Sequence, residues 1–347
     1  MKSHIYPAGR RRLKVLVLLA LVLLVGTALL AKLYFNALIT PVDPSQKGNE
    51  VILDIPPNAS GEYISQKLYQ AGLTRGPEVF KLYARYRGIT GKLKPGKYIF
   101  NPAQPLEEIA TALVAGPPDK IAFTVPEGYD FRQLVDMLSQ RGLIQREEFT
   151  RLVFQGDFGY SFLEGIPRNS RRLEGYLFPD TYHIGSETTE KEIIEMMLKR
   201  FNDELVKINF SEHTALLGLS LHQGVTLASM VEREARVDRE RPLIAGVMLN
   251  RLHRGMKLQI DATVEYALGG HRDKIYYKDL ETDSPYNTYK YYGLPPGPIS
   301  FPGEASLLAA VHPETTDYLY YVARPDGTHV FSKTLAEHNA NKAKYIK

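Results

Sequence analysis

The strongest constraint on the fold is an internal repeat. "IPPNASGEYISQKLYQAGLTRGPEVFKLY" (55–83) and "VPEGYDFRQLVDMLSQRGLIQREEFTRLV" (125–153) align at an offset of 70 residues. The offset pairs Pro56 with Pro126, Ile64 with Leu134, Leu68 with Leu138, Gly72 with Gly142, Leu73 with Leu143 and Leu82 with Leu152. A self-match held over that many positions marks a repeated structural unit. Each copy reads strand, helix, Gly turn, short helix. The apolar residues keep helical spacing, and Gly72 and Gly142 stand where helix C-caps belong. The copies continue in the same order. "LKPGKYIFNPAQPLEEIATALVAG" (93–116) reads as a hairpin and then a helix, and "LEGYLFPDTYHIGSETTEKEIIEMMLKRF" (173–201) matches it. The expectation is two small α+β modules in tandem.

Ahead of them lies "RRRLKVLVLLALVLLVGTALLAKLYFNALI". Val15 to Ala31 is a run of 17 residues without a charge, and apolar residues resume at Leu33. A bilayer span takes about 20 such residues. The basic cluster precedes the run, which predicts a cytoplasmic N-terminus (1–14), a single-pass transmembrane anchor (15–39) and an exported remainder. A cleaved signal peptide is the competing reading, but the run is long for one and no small-x-small site follows it. "TPVDPSQKGNE" (40–50) reads as a linker.

The anchor also accounts for the charge balance. Residues 1–42 hold six Lys/Arg and no acid, and the rest has 37 basic against 39 acidic residues. The exported part therefore has no bias toward nucleic acid, and its tyrosine-rich segments lack a basic stripe. The chain has no cysteine, which excludes disulfides, thiolate metal sites and a Cys nucleophile. The nine histidines show no H-E-x-x-H spacing, and there is no G-x-S-x-G, phosphate loop or G-x-G-x-x-G.

The chemistry concentrates in "TLASMVEREARVDRERP" (226–242), where a helical apolar stripe runs into glutamates. On a wheel of about 100° per residue centred on Val231, Leu227, Ala228, Ala235 and Glu234 fall within about 60°. Glu232 falls at the edge of the stripe, and Arg233 points back toward solvent. An apolar setting disfavours the charged form of Glu234 and raises its pKa, as a general acid requires. The plain alternative is that both glutamates are solvated or paired with an arginine. A second helix follows, with Asp238 as N-cap and Pro242 in its first turn. Beyond it come the polar, Gly- and Pro-rich segments 258–270, 284–303 and 319–339, of the kind that build a cleft.

Five motifs in order carry a resemblance. "LEGYLFPDTY" (173–182), "LASMVEREA" (227–235), "VMLNRLHRGMKLQIDATVEYALG" (247–269), "YNTYKYYGLPPGPISFPG" (286–303) and "GTHVFSKTLAEHN" (327–339) resemble the YceG-like family of membrane-anchored endolytic murein transglycosylases. The resemblance implies an α+β chain with a transmembrane helix, a small LysM-like module (51–118) and a larger catalytic domain (120–347) whose start repeats that module. It implies cleavage of MurNAc–GlcNAc bonds inside peptidoglycan strands to 1,6-anhydro ends, without metal or cofactor. It further implies a role in terminating nascent strands and an extracytoplasmic, periplasmic site at the inner membrane. In the family's E-x-E motif the second glutamate is catalytic, which carries onto Glu234. One departure is Asp261-Ala262-Thr263, where the family often has Asp-Pro-Thr.

The supporting set expected around Glu234 is weaker. Asn287, Gln259 and Thr263 are candidates to hydrogen-bond substrate. Tyr266 and Tyr289 are candidates to stack on sugar, and Asp261 to orient a group. Glu232 is a helper or a structural partner. "GLPPGPI" reads as a rigid cleft wall. Glu174 and Asp180 are runner-up carboxylates that brace a hairpin, and His329 is equally a structural or a contact residue. The reading from a different class is a non-catalytic wall-binding scaffold that organises peptidoglycan synthases. A hydrolysing muramidase is the runner-up enzyme.

Overall fold

A computed structural model describes residues 8–118, 120–185, 187–272 and 274–345. It resolves into two compact units, Met1–Asp119 and Lys120–Lys347. The architecture is mixed α and β, with helices predominating and, among the described residues, three separate two-stranded antiparallel sheets.

The first unit begins with α1 (Ala8–Leu38), whose stretch Val15–Leu38 is 24 residues of mean hydropathy 2.6, none of it buried. It is long and apolar enough to cross a membrane. The stretch after it is ordered by Asp43, which caps a 3-10 turn at Pro44–Gln46. Then come β1 (Val51–Ile55), α2 (Gly61–Gln70), α3 (Val79–Tyr86), β2 (Gly96–Phe100) and α4 (Leu106–Ala115). Their core is Leu53, Ile64, Leu68, Phe80, Tyr98, Phe100, Ile109 and Leu113.

The second unit opens with β3 (Ile121–Thr124), α5 (Phe131–Gln140), α6 (Arg146–Gln155), β4 (Thr181–Ile184) and α7 (Glu190–Lys207). This is the order of the first unit again. α2 and α5 have the same length and are 70 residues apart, and both end in the same way. Gly72 and Gly142 take φ of +70° and +66°. The amides of Leu73 and Leu143 return to Leu68 and Leu138, and those of Gly72 and Gly142 to Tyr69 and Ser139. That is a Schellman closure in duplicate, which needs a residue free to adopt positive φ.

Two details differ from the sequence reading. The strands of each copy form no local hairpin. β2 returns to pair with β1 (Val51 opposite Phe100), and β4 with β3 (Ile121 opposite Ile184). The offset also slips by one residue after the Gly turn. The buried phenylalanines of α3 and α6 are Phe80 and Phe149, whereas Leu82 is half exposed. A one-residue shift turns a helix by about 100°, so Leu82 and Leu152 are not equivalent core positions.

The remainder is α8 (Phe210–Leu216), α9 (Leu221–Glu234), α10 (Arg241–His253), α11 (Asp261–Ala267), α12 (Glu304–Val311), β5 (Tyr320–Ala323), β6 (His329–Ser332) and α13 (Leu335–Tyr345). α9 is the axis of the unit: α8, α10, α11 and α12 all pack on it. Ser220 and Gln223 start it with a reciprocal capping box. Val225, Leu227, Ala228, Met230 and Val231 are fully buried along it. Asp238 does not cap α10. It opens a 3-10 turn (Asp238–Glu240), and Pro242 does lie in the helix's first turn.

Candidate active site

α9 ends on Glu234; Ala235 turns extended at ψ 124°. The side chain therefore leaves the last turn of a buried helix and enters a cleft of about 460 Å³. Burial pushes the Glu234 carboxyl up to about 7, and the Asp261 and Glu265 charges act in the same direction. The partial negative charge of a helix C-terminus also disfavours an anion there. Two groups oppose the rise: the Tyr321 hydroxyl, which donates to Glu234 Oε2 at 2.9 Å, and the Arg233 charge. Burial outweighs them. Glu234 thus holds a proton near neutral pH and has no ion-pair partner among the described residues.

Tyr321 comes from β5, 87 residues further along the chain. Burial and the Glu234 charge raise its own hydroxyl well above the ordinary tyrosine value, so it remains a donor throughout the useful pH range. Removing it should move the titration of Glu234 further upward. With Tyr321→Phe, the fall in kcat/KM at alkaline pH is expected about one pH unit higher than in wild type. A pH–rate profile checks this, and an unmoved limb would contradict it.

Two pairs line the same cleft. The Tyr289 hydroxyl donates to Asp261 Oδ1 at 2.5 Å, so this carboxylate is already engaged. Gln259, at φ +54°, accepts from Arg251 Nη2 at 2.5 Å through its Oε1, which leaves its amide nitrogen as the outward donor. Arg251 is itself buried and fixed by the carbonyls of Lys257 and Leu319. His329 lines the cleft too. Its Nδ1 is 2.8 Å from Glu240 Oε2, and its ring meets Tyr321 edge-on. Arg251 and Tyr321 are among the cleft residues that sequence reasoning missed, as are Tyr320, His338, Asn339 and Lys342.

Four other expected residues lie elsewhere. Thr263 is fully buried, and its hydroxyl is used by Ile260 and Thr288. Asn287 is fully buried as well. Its amide donates to the carbonyls of Leu280 and Thr282, and its oxygen accepts from the Tyr289 amide. Both shape the loop that carries Tyr289, and neither faces the cleft. Tyr266 donates to Glu174 in a separate cavity. Glu232 points away from the cleft. It pairs with Arg241 at 3.3 Å and accepts the Gly303 amide at 3.0 Å.

The neighbours of these residues fill in the rest. Arg233 is not free in solvent: it pairs with Glu265 at 3.1 Å. "GLPPGPI" does not wall the Glu234 cleft. It lies along α9, held by His222 at Pro296 and by Ser229 at Ile299. Glu174 is fully buried and Asp180 pairs with Arg200 at 2.7 Å, so both brace the structure.

Glu234, poised near neutrality in a cleft that Asp261, Gln259, Tyr289 and Tyr321 also line, has the features of a candidate general acid. The comparisons specify it further. The YceG-like family model matches residues 53–344, and the chain belongs to that family. The endolytic murein transglycosylase of Bacillus subtilis is 36% identical over 330 residues, covering 91% of this chain and 90% of that one. The protein of the same name from Streptococcus pneumoniae is 31% identical over 334 residues; the match covers 88% of this chain and 60% of the longer streptococcal one. A crystal structure of a YceG-like protein from Listeria monocytogenes superposes with a TM-score of 0.61 at 36% identity, over 84% of this chain and 98% of that one.

Proposed function

We propose that this protein is a membrane-anchored endolytic lytic transglycosylase. It cuts the MurNAc–GlcNAc bond within peptidoglycan strands and leaves 1,6-anhydroMurNAc ends. The observation that carries this reading is Glu234: one carboxylic acid with a pKa near 7 in the cleft, beside an Asp261 already bonded to Tyr289. A retaining glycosidase needs a second, free carboxylate about 5–5.5 Å away as nucleophile. A transglycosylase does not, because the substrate supplies its own nucleophile.

In that reaction protonated Glu234 gives its proton to the glycosidic oxygen, and the bond from C1 to that oxygen breaks. The resulting carboxylate takes the proton of the C6 hydroxyl, and the C6 oxygen closes onto C1 with help from the N-acetyl group. Glu234 ends protonated, no water is consumed, and the same residue serves as acid and base. Tyr321 donates to the carboxylate between the two steps. Gln259 and Tyr289, which line the cleft, would hold the sugars on this reading.

Residues 120–347 are the catalytic domain on this reading, and residues 51–118 a LysM-like module. α1 is the anchor, with its basic end in the cytoplasm and both units outside. A site tethered near the membrane would meet strands as they emerge and end their elongation, close to the peptidoglycan synthases. Digestion of purified strands with mass analysis of the ends tests the reading. Shorter strands with 1,6-anhydro termini are expected. New reducing ends would indicate a muramidase, and uncut strands a binding scaffold.

A further inference from the structure

α11 borders more than the Glu234 cleft. Asp261, its first residue, lines that cleft, while Tyr266, near its end, lines a second cavity of about 470 Å³. Between them lies a smaller recess bordered by Arg233, Glu265 and Tyr266. A seven-residue helix is roughly 10 Å long, so the two cavities are bordered by opposite ends of one short helix.

The second cavity is cationic in a specific way. Arg132 pairs with Asp130, and Arg146 with Asp136. Arg171 has no carboxylate partner among the described residues. Its guanidinium lies over two rings, 5.0 Å from the centroids of both Tyr266 and Tyr286. The rings are 4.8 Å apart and both tyrosines are buried, so the platform is rigid. Glu174 fixes it from below, accepting from the Tyr266 hydroxyl at 2.9 Å and from the Phe131 amide at 3.0 Å. Burial, helped by the Asp130 charge, raises the Glu174 carboxyl to about 8, so it is neutral at pH 7 and leaves the Arg171 charge uncancelled. A stacked guanidinium is pre-ordered for contact with a carboxylate; that of Arg171 also hydrogen-bonds the Tyr286 hydroxyl, which helps to hold it in place.

We propose that this cavity binds a free carboxylate of a murein peptide stem, with Arg171 as its ion-pair partner on the Tyr266–Tyr286 platform. The inference rests on the transglycosylase reading. The sugars of such a strand offer a guanidinium no charge. The stems do, and one branches from each MurNAc along the strand, including the one whose C1 reacts. A strand held in the Glu234 cleft would bring a stem to the second cavity, and the pair of contacts would favour strands that still carry stems.

The test compares kcat/KM of the full chain on strands bearing stems and on the same strands stripped of them by an amidase, with the lactyl carboxylates that the amidase frees capped as amides. Wild type is expected to favour stem-bearing strands by about tenfold, and Arg171→Ala to bring that ratio near one. Arg171 is exposed, so the substitution should not disturb folding. Stem-bearing strands whose carboxylates have been converted to amides should behave as stripped ones. A wild type without preference, or a preference that survives Arg171→Ala, overturns the subsite alone. A wild type that cuts neither strand overturns the transglycosylase reading and the subsite with it.

Discussion

Glu234→Gln is expected to slow strand cleavage by about 10²–10⁴-fold while making the folded protein more stable above pH 7. The kinetic loss follows because an amide neither donates a proton to the glycosidic oxygen nor accepts one from the C6 hydroxyl. The loss should fall on kcat, since Gln is nearly isosteric and the cleft is otherwise intact.

The stability gain follows from the direction of the pKa shift. The folded-state value of Glu234, about 7, lies above the ordinary 4.5. The folded state therefore binds this proton more tightly than the unfolded chain. That contribution is fully present below pH 4.5 and is lost as pH rises through 7. Glutamine has no such cost, so the variant's advantage should grow across that window to about 3 kcal/mol. Glu174 titrates in both proteins and cancels in the difference. Urea denaturation of both proteins at pH 5 and pH 8 measures this; equal stability at both pH values would refute the protonated, half-buried acid.

The second large effect is expected at the neighbouring glutamate. Glu232→Ala should destabilise the second unit by about 3 kcal/mol. Glu232 and Arg241 form an ion pair whose side chains are only 6% and 8% exposed. Removing the anion leaves Arg241 buried with Ser306 and with Asp238, which is itself exposed. It also deprives the Gly303 amide, at the N-terminus of α12, of its acceptor. For a domain of this size the loss corresponds to a fall in Tm of roughly 6–12 °C, readable by calorimetry. Below the new Tm, kcat should stay close to wild type, because Glu232 does not reach the cleft. A tenfold fall in kcat without a change in Tm would mean that Glu232 takes part in the chemistry.

The contrast between these glutamates shows how far sequence reasoning reaches. The wheel singled out Glu234 because periodicity reports which face of a helix meets apolar neighbours. It placed Arg233 in solvent because a wheel holds one helix only; Glu265, on α11, is what occupies that side. Tyr321 was hidden for the same reason: β5 meets α9 only through the tertiary fold. The repeat was readable down to its Schellman glycines, since that closure is local. The pairing of its strands was not, because β1 and β2 are separated by two helices. Thr263, Asn287 and Tyr266 were drawn into the expected site because they are polar and lie in cleft-forming segments. Polarity in a sequence does not tell whether the partner is a ligand or the chain's own atoms, and here it is Ile260, Leu280, Thr282 and Glu174.

The most direct test of the central claim is the titration of Glu234 itself. In the full chain with carboxyl-¹³C-labelled glutamate, the resonance that disappears in Glu234→Gln should titrate with a midpoint near pH 7. A midpoint near 4.5, that of an exposed glutamate, would contradict the assignment of Glu234 as the acid that begins the reaction.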